Sequence, residues 1–325
     1  MPATDPDPEL LRSMERFRAL FPEVRALIAA HAPPGFPEMG RALAHIIDRP
    51  LPPFTLLPLC SAEACGGDPQ EAIPVAASWL VLNLGMRLLD DAQDQDRPGG
   101  YWAELGVPRA TNLAGALAVL AFQILERNHW PERRARRVRA TFGEELLHIA
   151  AGQDSDLRMG PSTLADCWRT LEDKNGRIFA LGCAGGAIAA GAAEPLVDAI
   201  RTYGLHLGVA LQIFDDLEGV WEGEDLLCGR ITLPLLYGLL TEHPGRQELE
   251  HIVRERRLAA SAARVRAILD CIDTRRFLVW TAAKEHEQAL EALRGCPGRD
   301  GRAVLQAFAT RLFAQMEEII GGCAP

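Results

Sequence analysis

The chain has 325 residues, 48% of them hydrophobic but only 6% aromatic, and 44 acidic against 34 basic residues give a net charge of −10. Few aromatic and β-branched residues beside abundant Ala, Leu, Glu and Arg predict an all-α protein, while the acidic balance argues against nucleic acid as a main partner. Eight cysteines without a CxxC pair argue against a zinc site or a disulfide framework.

Residues 1–8, acidic and proline-rich, are unlike a signal peptide and are expected to be a disordered leader. Residues 9–325 are expected to form a single helical domain. Leu10, Leu11, Met14, Phe17, Leu20 and Phe21 recur at helical spacing, which predicts one helix over 9–31, closed by Pro33-Pro34-Gly35. Further helices are predicted over 38–47 and over 54–64, the latter closed by Gly66-Gly67. Pro69 opens a long apolar helix that ends in an acidic run over 90–96, and a loop begins at Arg97-Pro98-Gly99-Gly100. A helix over 110–128 follows. The next starts at Pro131 and opens with Arg133, Arg134, Arg136, Arg137 and Arg139. No aromatic residues interleave with these arginines, so they read as a solvated face. A helix over 163–191 has a second half of Gly and Ala, where another backbone can approach. One over 195–222 carries a second acidic pair, and four or five amphipathic helices complete the chain. Cys60, Cys183 and Cys271 stand in apolar text and are expected to be buried thiols. No apolar span reads as long enough to cross a bilayer, so a cytoplasmic protein without a transmembrane segment is expected.

The chemistry lies in the two acidic runs. Asp90 and Asp94 are four apart, one helical turn above each other, with Asp91 between them. Carboxylates stacked this way repel, and a cation must offset that repulsion. The second pair, Asp215-Asp216, follows Gln212-Ile213-Phe214 at the end of another apolar run. A single acidic run closing a helix is ordinarily a solvated face. Two of them, each with paired aspartates, point instead to clusters on facing helices across a cavity. All donors are oxygen, which favours Mg2+, with Mn2+ as an alternative, over Zn2+. Mg2+ held by one or two carboxylates keeps positions open for phosphate oxygens, and a diphosphate so bound becomes a better leaving group. Candidate cations for it are Lys174, Arg177, Arg97 and Arg230, with Lys174 first because the small-residue helix follows it.

These residues resemble the trans-isoprenyl diphosphate synthase (polyprenyl synthetase) family. Asp90-Asp91-Ala92-Gln93-Asp94 is similar to its DDxxD motif and Gln212-Ile213-Phe214-Asp215-Asp216 to its QxxDD. Gly152, Gln153 and Asp156 resemble its GQxxD, the segment around Lys174 its diphosphate-binding lysine, and the stretch from Asp225 to Leu236 its DxxxGKxTLPL. The resemblance implies a single bundle of about ten to thirteen helices around a central cavity, a homodimer, and three Mg2+ ions bound with the substrate diphosphate. It implies ionisation of an allylic prenyl diphosphate, whose cation the usual members add to isopentenyl diphosphate. Asp90 and Asp94 would then be metal ligands supported by Asp91, and Asp215 a ligand supported by Asp216. Lys174, Gln212, Arg230, Arg97 and Arg49 would face diphosphate. Leu82, Gly85, Met86 and Phe179 would line the prenyl pocket, with Gly85 leaving room for a C15 or C20 chain.

The departures concern the second substrate. Where the family carries G-K-x-x-R, this chain retains Arg49-Pro50 but has Ile46 at the lysine position. Arg97 stands where an arginine pair is usual, and Gly219 stands at the last aspartate of the second motif. The set that ionises an allylic diphosphate is thus intact, while the set that seats isopentenyl diphosphate is depleted. The cation would pass to isopentenyl diphosphate or another acceptor. Alternatively it would close on its own chain, as in class I terpene cyclases, with Trp79, Phe179 and Phe214 as candidate cation-stabilising aromatics. A non-catalytic regulatory partner subunit is a further alternative, but such a subunit would be expected to lose the metal carboxylates that this chain keeps.

Overall fold

The computed structural model describes residues 7–94, 100–126, 128–158, 163–223 and 225–321, with side chains to residue 316. Every regular element among the described residues is helical, as the composition predicts. The chain divides into two compact units. Unit 1 comprises Met1–Leu147, Ile178–Gly204 and Leu290–Phe308; unit 2 comprises His148–Arg177, Leu205–Ala289 and Ala309–Pro325.

Unit 1 opens with two helices, Pro8–Arg18 and Phe21–His31, rather than the one expected over 9–31. Asp7 caps the first by accepting from Glu9 N at 2.9 Å. Pro22, in the first turn of the second, has no N–H to continue the preceding ladder, which forces a new start. The helix Pro37–Ile47 follows, then Leu57–Ala64 after one 3-10 turn. The 3-10 turn Pro69–Ala72 leads into Ile73–Asp94, which packs along Val107–Leu125. Ser78 Oγ ties the two by donating to Ala121 O at 2.8 Å. Both helices are long and apolar enough to cross a membrane by length and composition, which corrects the reading that no such span exists. In the first, 61% of the apolar window is buried inside the protein, as in a core helix.

Trp79 is the largest fully buried side chain, and its Nε1–H donates to Ile178 O at 2.6 Å. The small-residue run in Arg177–Ala189 admits close neighbours, as expected. A Cβ on Gly186 would lie 2.1 Å from Pro58 O, and one on Gly182 would meet the Trp79 ring at 2.8 Å. The arginine-rich opening of Glu132–Leu157 is laced with ion pairs. Arg134 reaches Glu71 at 3.2 Å, and Arg139 reaches Glu126 at 3.4 Å and Glu132 at 3.2 Å. Cys60 and Cys183 are buried, but Cys271, the last residue of Ala262–Cys271, is exposed, which corrects its reading as a buried thiol.

In unit 2 the predicted 163–191 helix begins as Leu164–Leu171, capped by Thr163, and is interrupted by a π-helical turn at Glu172–Gly176. Cys167, Leu171, Ile213, Leu217, Leu233 and Leu278 form one core cluster. Val220, Leu226, Leu235, Leu249, Val265 and Leu269 form a second. The Glu194–Trp221 helix contributes to both from its unit 2 portion. Each leucine fully removed from water contributes about 1.5–3 kcal/mol, so these clusters fix the helix that carries Asp215 and Asp216.

Candidate active site

In unit 1, Asp90, Asp91 and Asp94 occupy the last turns of Ile73–Asp94 and are all half-buried. The core face of the same helix is Trp79, Leu82, Gly85 and Leu88, so the apolar pattern seats the helix and aims its end. Arg97 lies outside the described residues. Arg49 is exposed just beyond Pro37–Ile47, its carbonyl accepting from Arg25 Nη2 at 2.7 Å. Ile46, at the position where the family carries lysine, is 5% exposed and belongs to the core.

The proposed pocket residues of unit 1 are mostly core. Leu82 is fully buried. Gly85 does not open a cavity: a Cβ there would lie 3.1 Å from Leu117 Cβ and 3.2 Å from Ala114 O, so this glycine serves helix packing. Met86 is half-buried. Phe179 is 8% exposed and packs edge-on to Trp79, with ring centroids 6.1 Å apart, and against Phe54 at 5.8 Å.

A polar network in unit 1 was not foreseen. Glu38, at 8% exposure, accepts from Tyr101 OH at 2.6 Å and pairs with Arg109 at 2.9 Å and with Arg41. The Tyr101 hydrogen bond, aided by the two guanidinium groups, holds the Glu38 carboxyl below its usual range. Burial, then the Glu38 contact, pushes the Tyr101 phenol up to about 12. Only the Glu38–Arg41 spacing was legible locally; Tyr101 and Arg109 are brought in by the fold.

In unit 2, Lys174 sits in the π-helical turn and its Nζ is 2.7 Å from Asp156 Oδ2. Gly152 makes this possible. A Cβ there would lie 2.8 Å from Lys174 N and 2.9 Å from Asp173 Cβ, so only glycine lets the two segments touch. The Gly152, Asp156 and Lys174 positions, read separately in the sequence, thus form one arrangement that fixes an ammonium group. Arg177 is held by Asp173 at 3.0 Å. π-Helical turns inside helices are frequent at functional sites.

The second aspartate pair is split by the helix. Asp215 is exposed, whereas Asp216 is 4% exposed. Asp216 accepts from Gln212 Nε2 at 2.7 Å and from Leu233 N at 3.1 Å, so it caps the Leu233–Leu240 helix from outside. Gln212 and Asp216, expected at diphosphate and metal, are therefore joined to each other. Burial pushes the Asp216 carboxyl up to about 7, against the two hydrogen bonds that lower it. Phe214 is partly buried against the first core cluster. At Gly219, where the family has an aspartate, the Asp225 carboxyl fills the space: its Oδ2 is 2.1 Å from the place of a Cβ. Arg230 is half-buried, with its N donating to Asp225 O at 3.0 Å.

Among the described residues no three His, Cys, Asp or Glu side chains converge into a metal cage. Such a cage is not what Mg2+ requires, since it is held by one or two carboxylates and completes its shell with water and phosphate. The oxygen-only donors of both helix ends fit that ion. A pocket in unit 2, lined by His206, Leu207, Glu285, His286, Phe313 and Met316, includes no residue of the two aspartate motifs.

A family model described as polyprenyl synthetase matches residues 55–272. The (2E,6E)-farnesyl diphosphate synthase of Mycobacterium bovis is 30% identical over 210 residues, which cover 62% of this chain and 57% of that protein. The match therefore spans little more than half the length of that relative. The geranylfarnesyl diphosphate synthase of Methanosarcina mazei is 25% identical over 296 residues, 89% of this chain and 90% of that one. The crystal structure of geranylgeranyl pyrophosphate synthetase from Pyrococcus horikoshii superposes with a TM-score of 0.82 at 21% identity, covering 94% of this chain and 98% of that one. That structure shares the all-α fold, and with the family match across two-thirds of its length the chain belongs to the polyprenyl synthetase family.

Proposed function

We propose that the chain is a Mg2+-dependent trans-prenyltransferase that ionises an allylic prenyl diphosphate of C15 to C20 and passes the prenyl cation to an acceptor. The observation that carries this reading is the Lys174 ammonium, fixed by Asp156 in a π-helical turn within unit 2. An ammonium so held is pre-positioned for a diphosphate oxygen, and exchanging a carboxylate partner for phosphate needs no large movement of its stem. Asp90 and Asp94 in unit 1 would hold Mg2+, and Asp215 in unit 2 a further Mg2+, the charge of these ions making the diphosphate a better leaving group. Asp91 and Asp216 act in support, Asp216 by locking its helix turn to Leu233.

A second reading is favoured by one observation. Ile46 is buried in the core of unit 1, so the position of the family lysine supplies no cation. Each lost charge-assisted hydrogen bond costs about 1.5–3 kcal/mol. Isopentenyl diphosphate would then bind weakly, and the cation would go to another nucleophile or close on its own chain as in a terpene cyclase. Product analysis tests both. Geranyl, farnesyl and geranylgeranyl diphosphates are incubated with Mg2+, each with and without isopentenyl diphosphate. Longer diphosphates formed only with isopentenyl diphosphate support chain elongation. Hydrocarbons or alcohols from the allylic substrate alone support cyclisation. No turnover of any of the three contradicts the enzymatic reading.

A further inference from the structure

The turn at Cys296-Pro297-Gly298 meets the end of the Leu57–Ala64 helix within unit 1, and two close approaches bracket a pair of thiols. Gly298 N donates to Ala64 O at 2.9 Å, and Pro297 Cγ lies 3.3 Å from the place of a Cβ on Gly66. These contacts bring Cys65 and Cys296 together, each one or two residues from a contacting atom, and the Cys65 thiol donates to Leu196 O at 3.8 Å. Glycines make the approach possible: a Cβ on Gly298 would lie 1.8 Å from Glu63 O. Both cysteines are reduced and buried, yet Gly66, Gly295 and Pro297 beside them are exposed, so the pair lies one residue beneath the surface.

We propose that Cys65 and Cys296 form an oxidant-responsive thiol pair, which a hydroperoxide converts to a disulfide stapling the Leu57–Ala64 helix to the turn before Arg299–Gly321. The two sulfurs differ in character. The neighbouring Cys65 thiol and the Arg302 charge hold the Cys296 thiol below its usual range, while the proximity of Cys296 and burial raise Cys65. Arg302 is kept close by its own bond to Cys296 O at 2.8 Å. The Cys296 thiolate attacks the peroxide oxygen and becomes a sulfenic acid, releasing hydroxide or an alkoxide. The Cys65 sulfur then displaces hydroxide from that sulfenic sulfur, and its proton leaves with it as water. Two thiols lose two electrons and two protons, and the hydroperoxide is reduced to water or an alcohol with a second molecule of water. The pair does not depend on the proposed reaction at the aspartate motifs.

The test treats the full-length protein with hydrogen peroxide, alkylates remaining thiols, and maps peptides without reduction. A Cys65–Cys296 linked peptide that dithiothreitol separates is expected, and the melting temperature should rise by about 3–8 °C. Cys65→Ser and Cys296→Ser should each remove the linked peptide and the rise. Exposed Cys228 and Cys271 report that oxidant reached the protein. The proposal is overturned if those two are oxidised while Cys65 and Cys296 remain alkylatable, or if either pairs with Cys60 or Cys183 instead.

Discussion

At the end of Ile73–Asp94 both members of the first aspartate pair, Asp90 and Asp91, are half-buried, whereas in Glu194–Trp221 Asp215 is exposed and Asp216 is buried. Successive helical side chains point about 100° apart, so a dipeptide on a helix with one packed side divides between two environments. Both pairs lie near the C-terminal ends of their helices as described. In the second, the start of Leu233–Leu240 covers the Asp216 side. One carboxylate of that pair is thereby committed to a backbone amide, while Asp215 faces solvent. Identical dipeptides thus provide, in one region, adjacent carboxylates at a helix end and, in the other, a ligand candidate beside a structural cap.

Charge removal at the ligand candidates should break this comparison most strongly. Asp90→Asn, Asp94→Asn and Asp215→Asn are each expected to lower kcat for Mg2+-dependent pyrophosphate release by about 100-fold or more, measured by steady-state kinetics. Asp215→Asn should leave the melting temperature within about 2 °C of the parent, because the residue is exposed. Asp216→Ala should do the reverse in kind. It leaves Leu233 N and Gln212 without their acceptor and should cost about 1–3 kcal/mol in urea unfolding.

The Lys174 arrangement, also in unit 2, gives the next effects. Gly152→Ala forces a Cβ against the Lys174 backbone and should destabilise the protein by about 1–3 kcal/mol while raising KM for the allylic diphosphate. Asp156→Asn removes the charge partner but keeps the shape, so a change of about tenfold in kcat/KM with little effect on stability is expected.

The remaining effect is a pH dependence. Burial raises the Asp216 carboxyl from 3.8 to about 7 in the folded protein. Between these values the folded state holds the proton and the unfolded chain has lost it, so the stability contributed by the neutral carboxyl is full at low pH and falls as pH rises to 7. In metal-free protein, the melting temperature of the parent relative to Asp216→Asn should therefore decline from pH 4.5 to 7.5. A difference that stays flat across that range would contradict the assignment.

Much of this was legible in the sequence, for physical reasons that also mark its limits. Asp90 and Asp94 can be read together because their relation is local, one helical turn. The all-α class follows from composition, and the small-residue helix from its glycines. The Lys174–Asp156 bond was not readable, because two segments must be folded together before an ammonium finds its carboxylate. Nor was the role of Gly85, since a missing Cβ reads equally as an open pocket or as a close helix contact. Trp79 and Phe179, candidates for a cation-lining surface, pack on each other within unit 1, where aromatic residues of a core and of a cavity share one sequence pattern. The split of Asp215 from Asp216 depends on Leu233, which only the tertiary fold brings into reach.

The central claim is that the carboxylates and Lys174 ionise an allylic diphosphate. Its most direct test is single-turnover pyrophosphate release from geranylgeranyl and farnesyl diphosphates, with and without Mg2+, in the parent and in Asp215→Asn. The account predicts release that requires Mg2+, is lost with EDTA, and falls by about 100-fold in the variant while its melting temperature is unchanged. Release that is equal in both proteins, or none in the parent at saturating Mg2+ with either substrate, would contradict it.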